Sequence, residues 1–390
     1  MLKRIGFHIK VTYNNAPLRF ISNLSIKPKE NVEDKMQAWQ IHSYGGLEEL
    51  KLSHVRIPMI AKPTEILVKV EASSINPIDI AMTRGYGATI LNFMRKTRSF
   101  TGAPYDELEL PLTLGRDFCG IVVSKGHGVE TELKLGDQVW GVVPVEQQGC
   151  HANYVVVDSD TVRPCPKNLS CVEAASIPYA GLTAWSALWI TGGLCSKTVS
   201  SNSSVLVLGG SGGVGTLAVQ LLKAWNMHVV TTCSSDAVNL LQKLGADVVI
   251  DYKLEDADSR IITEGPYYLI LDCANLGPNH VRFKRYPHST YITLNSPLLK
   301  NIDQRGLIVG TMKNIGELVK YNIPIIENKG TVKWGFFMPS ATGLKVLEEF
   351  VKNGKIIPVV KKVYRFHELP LAYERVARGH LRGKLVVDMR

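Results

Sequence analysis

The sequence predicts an α/β protein in which a β-rich domain precedes a doubly wound parallel-sheet domain. Three observations carry this reading. Short β-branched runs separated by Gly, Pro and Asp fill residues 36–165. From about residue 166, strand-length apolar runs alternate with helical spacing, the pattern of a parallel sheet. At the head of that alternation, an apolar strand runs into Gly209-Gly210-Ser211-Gly212-Gly213-Val214-Gly215.

In the first region, residues 66–70, 120–123, 138–143 and 154–157 read as strands. Residues 172–188 have Ala-rich helical spacing, interrupted by Pro178 and Gly181. A strand at 205–208 leads to a helix at 216–225 and a strand at 228–232. A helix at 237–244 and strands at 247–250, 268–271, 290–294 and 331–337 follow. Helices at 343–353 and 369–378 close the chain.

Composition narrows the function. The chain has 390 residues, of which 45% are hydrophobic and 21% charged, which excludes disorder as the dominant state. No apolar run approaches the ~18–20 residues of a membrane helix, so membrane contact is peripheral if it occurs. The net charge is +10, and residues 1–35 hold seven Lys/Arg against three Asp/Glu, or +4 of it. The remainder is not clustered, which argues against nucleic acid as a partner. Residues 1–35 form a basic leader with no acid before Glu30, the pattern of an organelle transit peptide, with a cut expected after Ile21. The seven cysteines are odd in number and lack CxxC spacing. They read as free thiols in a reducing compartment, and they give no zinc lobe.

Gly210, Gly212 and Gly215 satisfy G-x-G-x-x-G between a strand and a helix, the arrangement of a dinucleotide site. One glycine makes the tight turn, one admits a pyrophosphate, and one lets helix and strand close up. Gly215 is followed by Thr216-Leu217, so the loop is not a P-loop. The next strand ends in Thr232-Cys233-Ser234-Ser235, hydroxyls where an NAD site has an acid. Asp236 lies two residues further and reads either as a carboxylate that would repel a 2′-phosphate or as a helix-capping acid. Lys253, after the third strand, reads as an added positive charge or as a solvated surface lysine. NADPH is therefore the expected dinucleotide.

These residues resemble the medium-chain dehydrogenase/reductase superfamily, in its quinone oxidoreductase (zeta-crystallin-like) branch. The likeness rests on the glycine loop with Gln220 and Lys223, on Asn76-Pro77-Ile78-Asp79, and on Gly136-Asp137-Gln138-Val139. Ala174-Ala175-Ser176-Ile177-Pro178 also matches, and the resemblance spans about 36–390. A mitochondrial subfamily of the branch is similar through Gly85-Tyr86-Gly87-Ala88-Thr89, Pro111 to Asp117 and Arg378-Gly379-His380 with Arg382-Gly383-Lys384. The resemblance implies a GroES-like catalytic domain at 36–165, resumed at 341–390, and a Rossmann domain at 166–340 with NADPH between them. It implies cofactor contacts at Ser211, Gly213, Val214, Ser234 and Tyr252, joined by Leu294, Phe336, Phe337, His380, Leu381 and Arg382. It further implies a mitochondrial NADPH-dependent oxidoreductase of quinones. Its setting would be the matrix or the outer-membrane surface, with a link to ubiquinone biosynthesis and a reticulon or ubiquinone-biosynthesis protein as partner. Asp272-Cys273-Ala274-Asn275 departs from the branch's Asp-x-Val-Gly-Gly.

Zinc members of the superfamily have Gly-His-Glu where this chain has Gly115-Arg116-Asp117, so no metal is expected. His151 beside Cys150 reads as a packing residue. Trp140, Trp185, Trp225 and Trp334 read as core or cleft aromatics. Asn76 and Tyr86 are the candidate polar groups of the cleft. Tyr86 would serve as a proton donor, and Asn76 as either a cleft group or the turn before Pro77. Residues 92–96 read as a lipophilic entry or a surface insertion. Two other functions remain open: an enoyl-thioester reductase, told apart by its substrate, and an NADPH-binding accessory protein, told apart by lack of turnover.

Overall fold

The central strand of the first sheet is Glu65–Ile75, whose buried residues alternate at its start and then become continuous. It pairs antiparallel with Asp117–Lys125, Tyr154–Asp158 and Lys384–Asp388, so the end of the chain returns to this sheet. The computed structural model describes residues 35–99, 109–129, 133–195, 203–323 and 330–390. The leader reading falls on residues that lie outside these, apart from Lys35. Among the described residues, the first sheet has seven strands, with a three-stranded sheet beside it.

The second sheet is parallel throughout and six-stranded. Its spatial order is Val248–Asp251, His228–Cys233, Ser204–Leu208, Tyr267–Asp272, His288–Thr293 and Thr331–Trp334. The chain order reverses between Ser204–Leu208 and Tyr267–Asp272. That switch opens a crevice at the carboxyl ends of the strands, where ligands of open α/β sheets bind. Gly213–Ala224 covers one face, burying Leu217, Ala218, Leu221 and Leu222 over Val205, Val207 and Val229. Each large apolar side chain so buried contributes about 1.5–3 kcal/mol.

Three local differences from the sequence reading have physical causes. The 172–188 pattern is divided into Cys171–Ala175 and Pro178–Trp185, because Pro178 cannot continue the preceding helix. The strand expected at 331–337 ends at Trp334. Leu298–Arg305 and Leu307–Asn322 are helices in a segment where Gly306, Gly310 and Gly316 read as turn signals. In the second, Ile308, Met312, Ile315 and Val319 point outward while Gly310 and Asn314 are buried. Among the described residues, no helix is long and apolar enough to cross a membrane.

The free-thiol reading is corrected at one pair. Cys119 on Asp117–Lys125 and Cys171 at the start of Cys171–Ala175 form a disulfide, with Cα atoms 5.4 Å apart. They are 52 residues apart in sequence, so no local spacing announces the bond. Cys150, Cys165, Cys195, Cys233 and Cys273 are free.

Candidate functional site

The glycine loop is shaped by contacts that a larger residue would break. Gly209 has φ +77°, which an L side chain rarely adopts, and a Cβ there would stand 3.0 Å from the Ala274 nitrogen. A Cβ on Gly215 would meet the backbone of Gly209 and Gly210, and one on Gly210 the hydroxyl of Thr231. The turn therefore packs tightly on its own strand and on the Ala274 loop. The first N–H groups of Gly213–Ala224, those of Gly213, Val214 and Gly215, have no acceptor within the helix. They form a ready anion site. The atypical 272–275 loop is held from below: Asp272 accepts from Ala274 N–H at 3.0 Å, Gly277 N–H at 2.9 Å and the Tyr291 hydroxyl at 2.6 Å.

At the end of His228–Cys233 the structure gathers Ser234, Asp236, Tyr252 and Arg382. The Arg382 guanidinium donates to the Ser234 hydroxyl, and to Asp236 from Nε at 3.1 Å and from Nη2 at 3.0 Å. Ser234 donates to Asp236 at 2.5 Å. Asp236 thus engages Arg382 from the first turn of the short helix Ser235–Ala237. Arg382 holds the Asp236 carboxyl well below the usual carboxylate range, with Ser234 adding to the effect. Tyr252 is about half exposed and near enough for its hydroxyl to act electrostatically on Arg382. Lys253 is exposed, with its N–H on Asp251 Oδ1 at 3.0 Å.

A buried polar cluster links this loop to the catalytic domain. Lys384 is buried; its Cδ lies 2.9 Å from where a Cβ on Gly213 would stand. Its Nζ donates to Asn76 Oδ1 at 2.5 Å and to the Ile75 carbonyl at 3.2 Å. Asn76 Nδ2 in turn donates to Asp117 Oδ1 at 3.1 Å, as does the Ser74 hydroxyl at 2.6 Å. Asp117 Oδ2 accepts from Tyr179 N–H at 3.2 Å. Asp79 accepts from the N–H groups of Asn76 and Gly115 and lies 3.8 Å from Arg116 Nε. Two carboxylates thus balance two cations. Burial pushes both carboxyls up and Lys384 down, and the opposite charges resist each shift. Asn76 has both amide atoms engaged, so it anchors Lys384 while also preceding Pro77.

The residues do not fit a zinc ion. Arg116 stands at the relevant place, buried, donating to the carbonyls of Pro144 at 3.0 Å and Gln147 at 2.8 Å. A guanidinium has five donors and no lone pair for a metal. Among the described residues, no group of three His, Cys, Asp or Glu side chains is placed to hold a metal ion.

His151 packs in the same interior, with Nδ1 2.9 Å from the Tyr373 hydroxyl and Nε2 3.3 Å from the Ser74 carbonyl. Burial pushes its imidazole down to about 3. Below its ordinary value near 6.5, the unfolded chain binds a proton that the folded chain refuses. Stability therefore falls as pH drops from about 6.5 toward 3. Urea midpoints measured at neutral and mildly acid pH are expected to decline less in His151→Gln than in the parent chain; parallel declines would contradict this account of His151.

The rest of the cleft is aromatic. Tyr179 and Phe337 stack with ring centroids 4.1 Å apart and 18° between planes. Tyr86 is half-buried and near enough to act electrostatically on Tyr179. Burial raises the Tyr86 hydroxyl, and Asp303 adds to the shift. Phe336 is partly exposed, and its carbonyl accepts from the Ser186 hydroxyl. Leu294 packs on the core of the parallel-sheet domain, whereas Leu381 packs on that of the catalytic domain. His380 is exposed with φ +50°. Trp140 and Trp185 are buried, and Trp225 lies against Trp189 with centroids 5.1 Å apart. Sequence reading missed Tyr179, Lys384, and the pairing of Asp236 with Arg382. Lys384 had one signal, its place in the Arg382-Gly383-Lys384 motif.

A glycine loop at the switch of a parallel sheet, with a second sheet closing on it through Lys384, defines the medium-chain dehydrogenase/reductase class. The comparisons agree. Residues 62–167 match the family model described as alcohol dehydrogenase GroES-like domain, and residues 244–387 the one described as zinc-binding dehydrogenase. The chain is 48% identical to the Drosophila melanogaster protein named NAD(P)H oxidoreductase RTN4IP1, mitochondrial, over 93% of this chain and 88% of that one. It is 41% identical to the human protein of the same name, over 91% and 89%. The structure of the quinone oxidoreductase from Coxiella burnetii superposes with a TM-score of 0.70 at 28% identity, covering 91% of this chain and all of that one. The chain belongs to the mitochondrial NAD(P)H oxidoreductase RTN4IP1 family, a branch of the medium-chain dehydrogenases/reductases. It is an oxidoreductase of the mitochondrion.

Proposed function

We propose that this chain uses NADPH to reduce a quinone-type acceptor in the mitochondrial matrix. The observation that carries the choice of NADPH is Arg382 held at the strand end beside Ser234. A 2′-phosphate there would meet a guanidinium, a hydroxyl and the nearby Tyr252 phenol, with the Asp236 carboxylate competing for the first two. A 2′-hydroxyl would gain little from the charge. The diphosphate would lie on Gly210 to Gly215 and the N–H groups of Val214 and Gly215 at the start of the helix. Lys253 stands further out, where it adds positive charge at most.

When bound, the nicotinamide supplies a hydride to the acceptor. The chain's own residues orient the partners, exclude water and deliver the accompanying proton. Lys384 spans from Gly213 to Asn76 and so ties the glycine loop to the catalytic sheet. Tyr179 and Phe337 form a flat apolar wall suited to a planar ring. Tyr86, protonated at neutral pH, donates a hydrogen bond and then its hydroxyl proton to the acceptor oxygen, and regains a proton from solvent as the product leaves.

Among the relatives, the Coxiella burnetii structure is titled a quinone oxidoreductase, and the Caenorhabditis elegans protein is named reticulon-4-interacting protein 1, mitochondrial. Those names extend the proposal to quinone acceptors and to a reticulon partner; a link to ubiquinone biosynthesis and removal of residues 1–21 on import extend it further, the second from the basic, acid-poor leader alone. The test is NADPH oxidation followed by absorbance over short- and long-tailed quinones and enoyl thioesters. Turnover with quinones is the expected result. Turnover confined to enoyl thioesters, or tight NADPH binding with no turnover, would overturn it.

A further inference from the structure

We infer that Asp303 is a positioning residue: from the nucleotide-binding domain it grips the Gly85-Tyr86-Gly87 turn of the catalytic domain and fixes the backbone that carries Tyr86. The inference rests on the reading of Tyr86 as proton donor and extends it to the residue that sets its place.

Asp303 lies on Leu298–Arg305, which follows the strand His288–Thr293 of the parallel sheet. Its two carboxylate oxygens each take one backbone amide from far away in sequence. Gly87 N–H donates to Oδ2 at 2.7 Å and Thr89 N–H to Oδ1 at 3.0 Å. These amides lead the helix Ala88–Ser99, where no intrahelical acceptor exists and where negative charge is favoured. The acid that would ordinarily cap such a helix from its own chain segment is thus supplied by the other domain.

Leu299, one helical turn before Asp303, reinforces the grip. Its Cδ1 lies 3.1 Å from where a Cβ on Gly87 would be. On the other side of Tyr86, the Tyr44 ring sits 3.2 Å from the corresponding point on Gly85. Both glycines have positive φ, +78° and +82°, conformations that L side chains rarely adopt. Tyr86 is therefore the one side chain on a turn clamped by Tyr44 from its own domain and by Leu299 and Asp303 from the other. Asp303 also places negative charge near the Tyr86 hydroxyl, which favours its protonated form.

The test compares Asp303→Asn and Asp303→Ala with the parent chain. The Asn variant keeps the shape and one acceptor. Both are expected to leave the NADPH dissociation constant within about twofold, since Arg382 and the glycine loop are untouched. Turnover is expected to fall on the order of tenfold in Asp303→Ala and less in Asp303→Asn. Two readouts do not depend on turnover. Amide hydrogen exchange at residues 87–91 is expected to speed up, and the Tyr86 phenol to titrate at lower pH in both variants. In a Tyr86→Phe background, Asp303→Ala is expected to cost little further activity. Full additivity of the two substitutions, or unchanged exchange and unchanged Tyr86 titration, would overturn the inference. If Tyr86→Phe alone leaves turnover intact, the donor reading fails, and the positional grip is then decided by exchange and titration.

Discussion

Arg382→Ala is expected to bind NADPH about 10–100-fold more weakly while binding NADH almost as before. The estimate follows from hydrogen bonds to a charged group, each worth about 1.5–3 kcal/mol, with about 1.4 kcal/mol per tenfold. The guanidinium already occupies the strand end, held by Ser234 and Asp236, so little reorganisation is needed when a phosphate arrives. Asp236 is the opposing element, because its carboxylate competes with the phosphate for Arg382. Asp236→Ala is therefore expected to tighten NADPH binding and leave NADH unchanged, the opposite sign from its neighbour. Calorimetric titration with each nucleotide checks both. Equal losses for NADPH and NADH in Arg382→Ala would show that the arginine supports the fold rather than the 2′-phosphate.

The second large effect concerns stability. Asp117→Ala is expected to destabilise the chain by roughly 3–5 kcal/mol, the cost of leaving a buried charge without its partner. The charge left behind is Lys384, buried, with Asn76 and the Ile75 carbonyl as its acceptors and Asp79 as the remaining nearby carboxylate. The same substitution frees the Ser74 hydroxyl and the Tyr179 amide. Pairing it with Lys384→Met is expected to recover part of the loss, since an apolar side chain of similar length removes the orphan charge. Denaturation midpoints of the two single variants and the double variant measure this. Fully additive losses would contradict the pairing of Lys384 with Asp117 across Asn76.

The sequence made the parallel sheet and its glycine loop legible because both rest on local patterns. Val205 to Leu208 is a continuous apolar run, and the Gly210, Gly212 and Gly215 spacing has a direct steric meaning. The β-rich domain was legible through its punctuated strands for the same reason. What stayed hidden joins distant segments. Lys384 meets Asn76 across 308 residues and Arg382 meets Asp236 across 146, so neither pairing leaves a spacing signal. Cys119 and Cys171 escaped likewise. Leu307–Asn322 was missed for a different reason: Ile308, Met312, Ile315 and Val319 recur at helical spacing, but Gly306, Gly310 and Gly316 punctuate the segment as turn signals. Tyr179 was read within an Ala-rich helix, and only its stacking on Phe337 marks it as part of the cleft wall.

The most direct test of the whole account is a calorimetric titration of the purified parent chain with NADPH and, separately, with NADH. The account predicts one NADPH site per chain, with NADH at least tenfold weaker because it lacks the group that Arg382 receives. No measurable heat with either nucleotide, or equal affinity for the two, would contradict it.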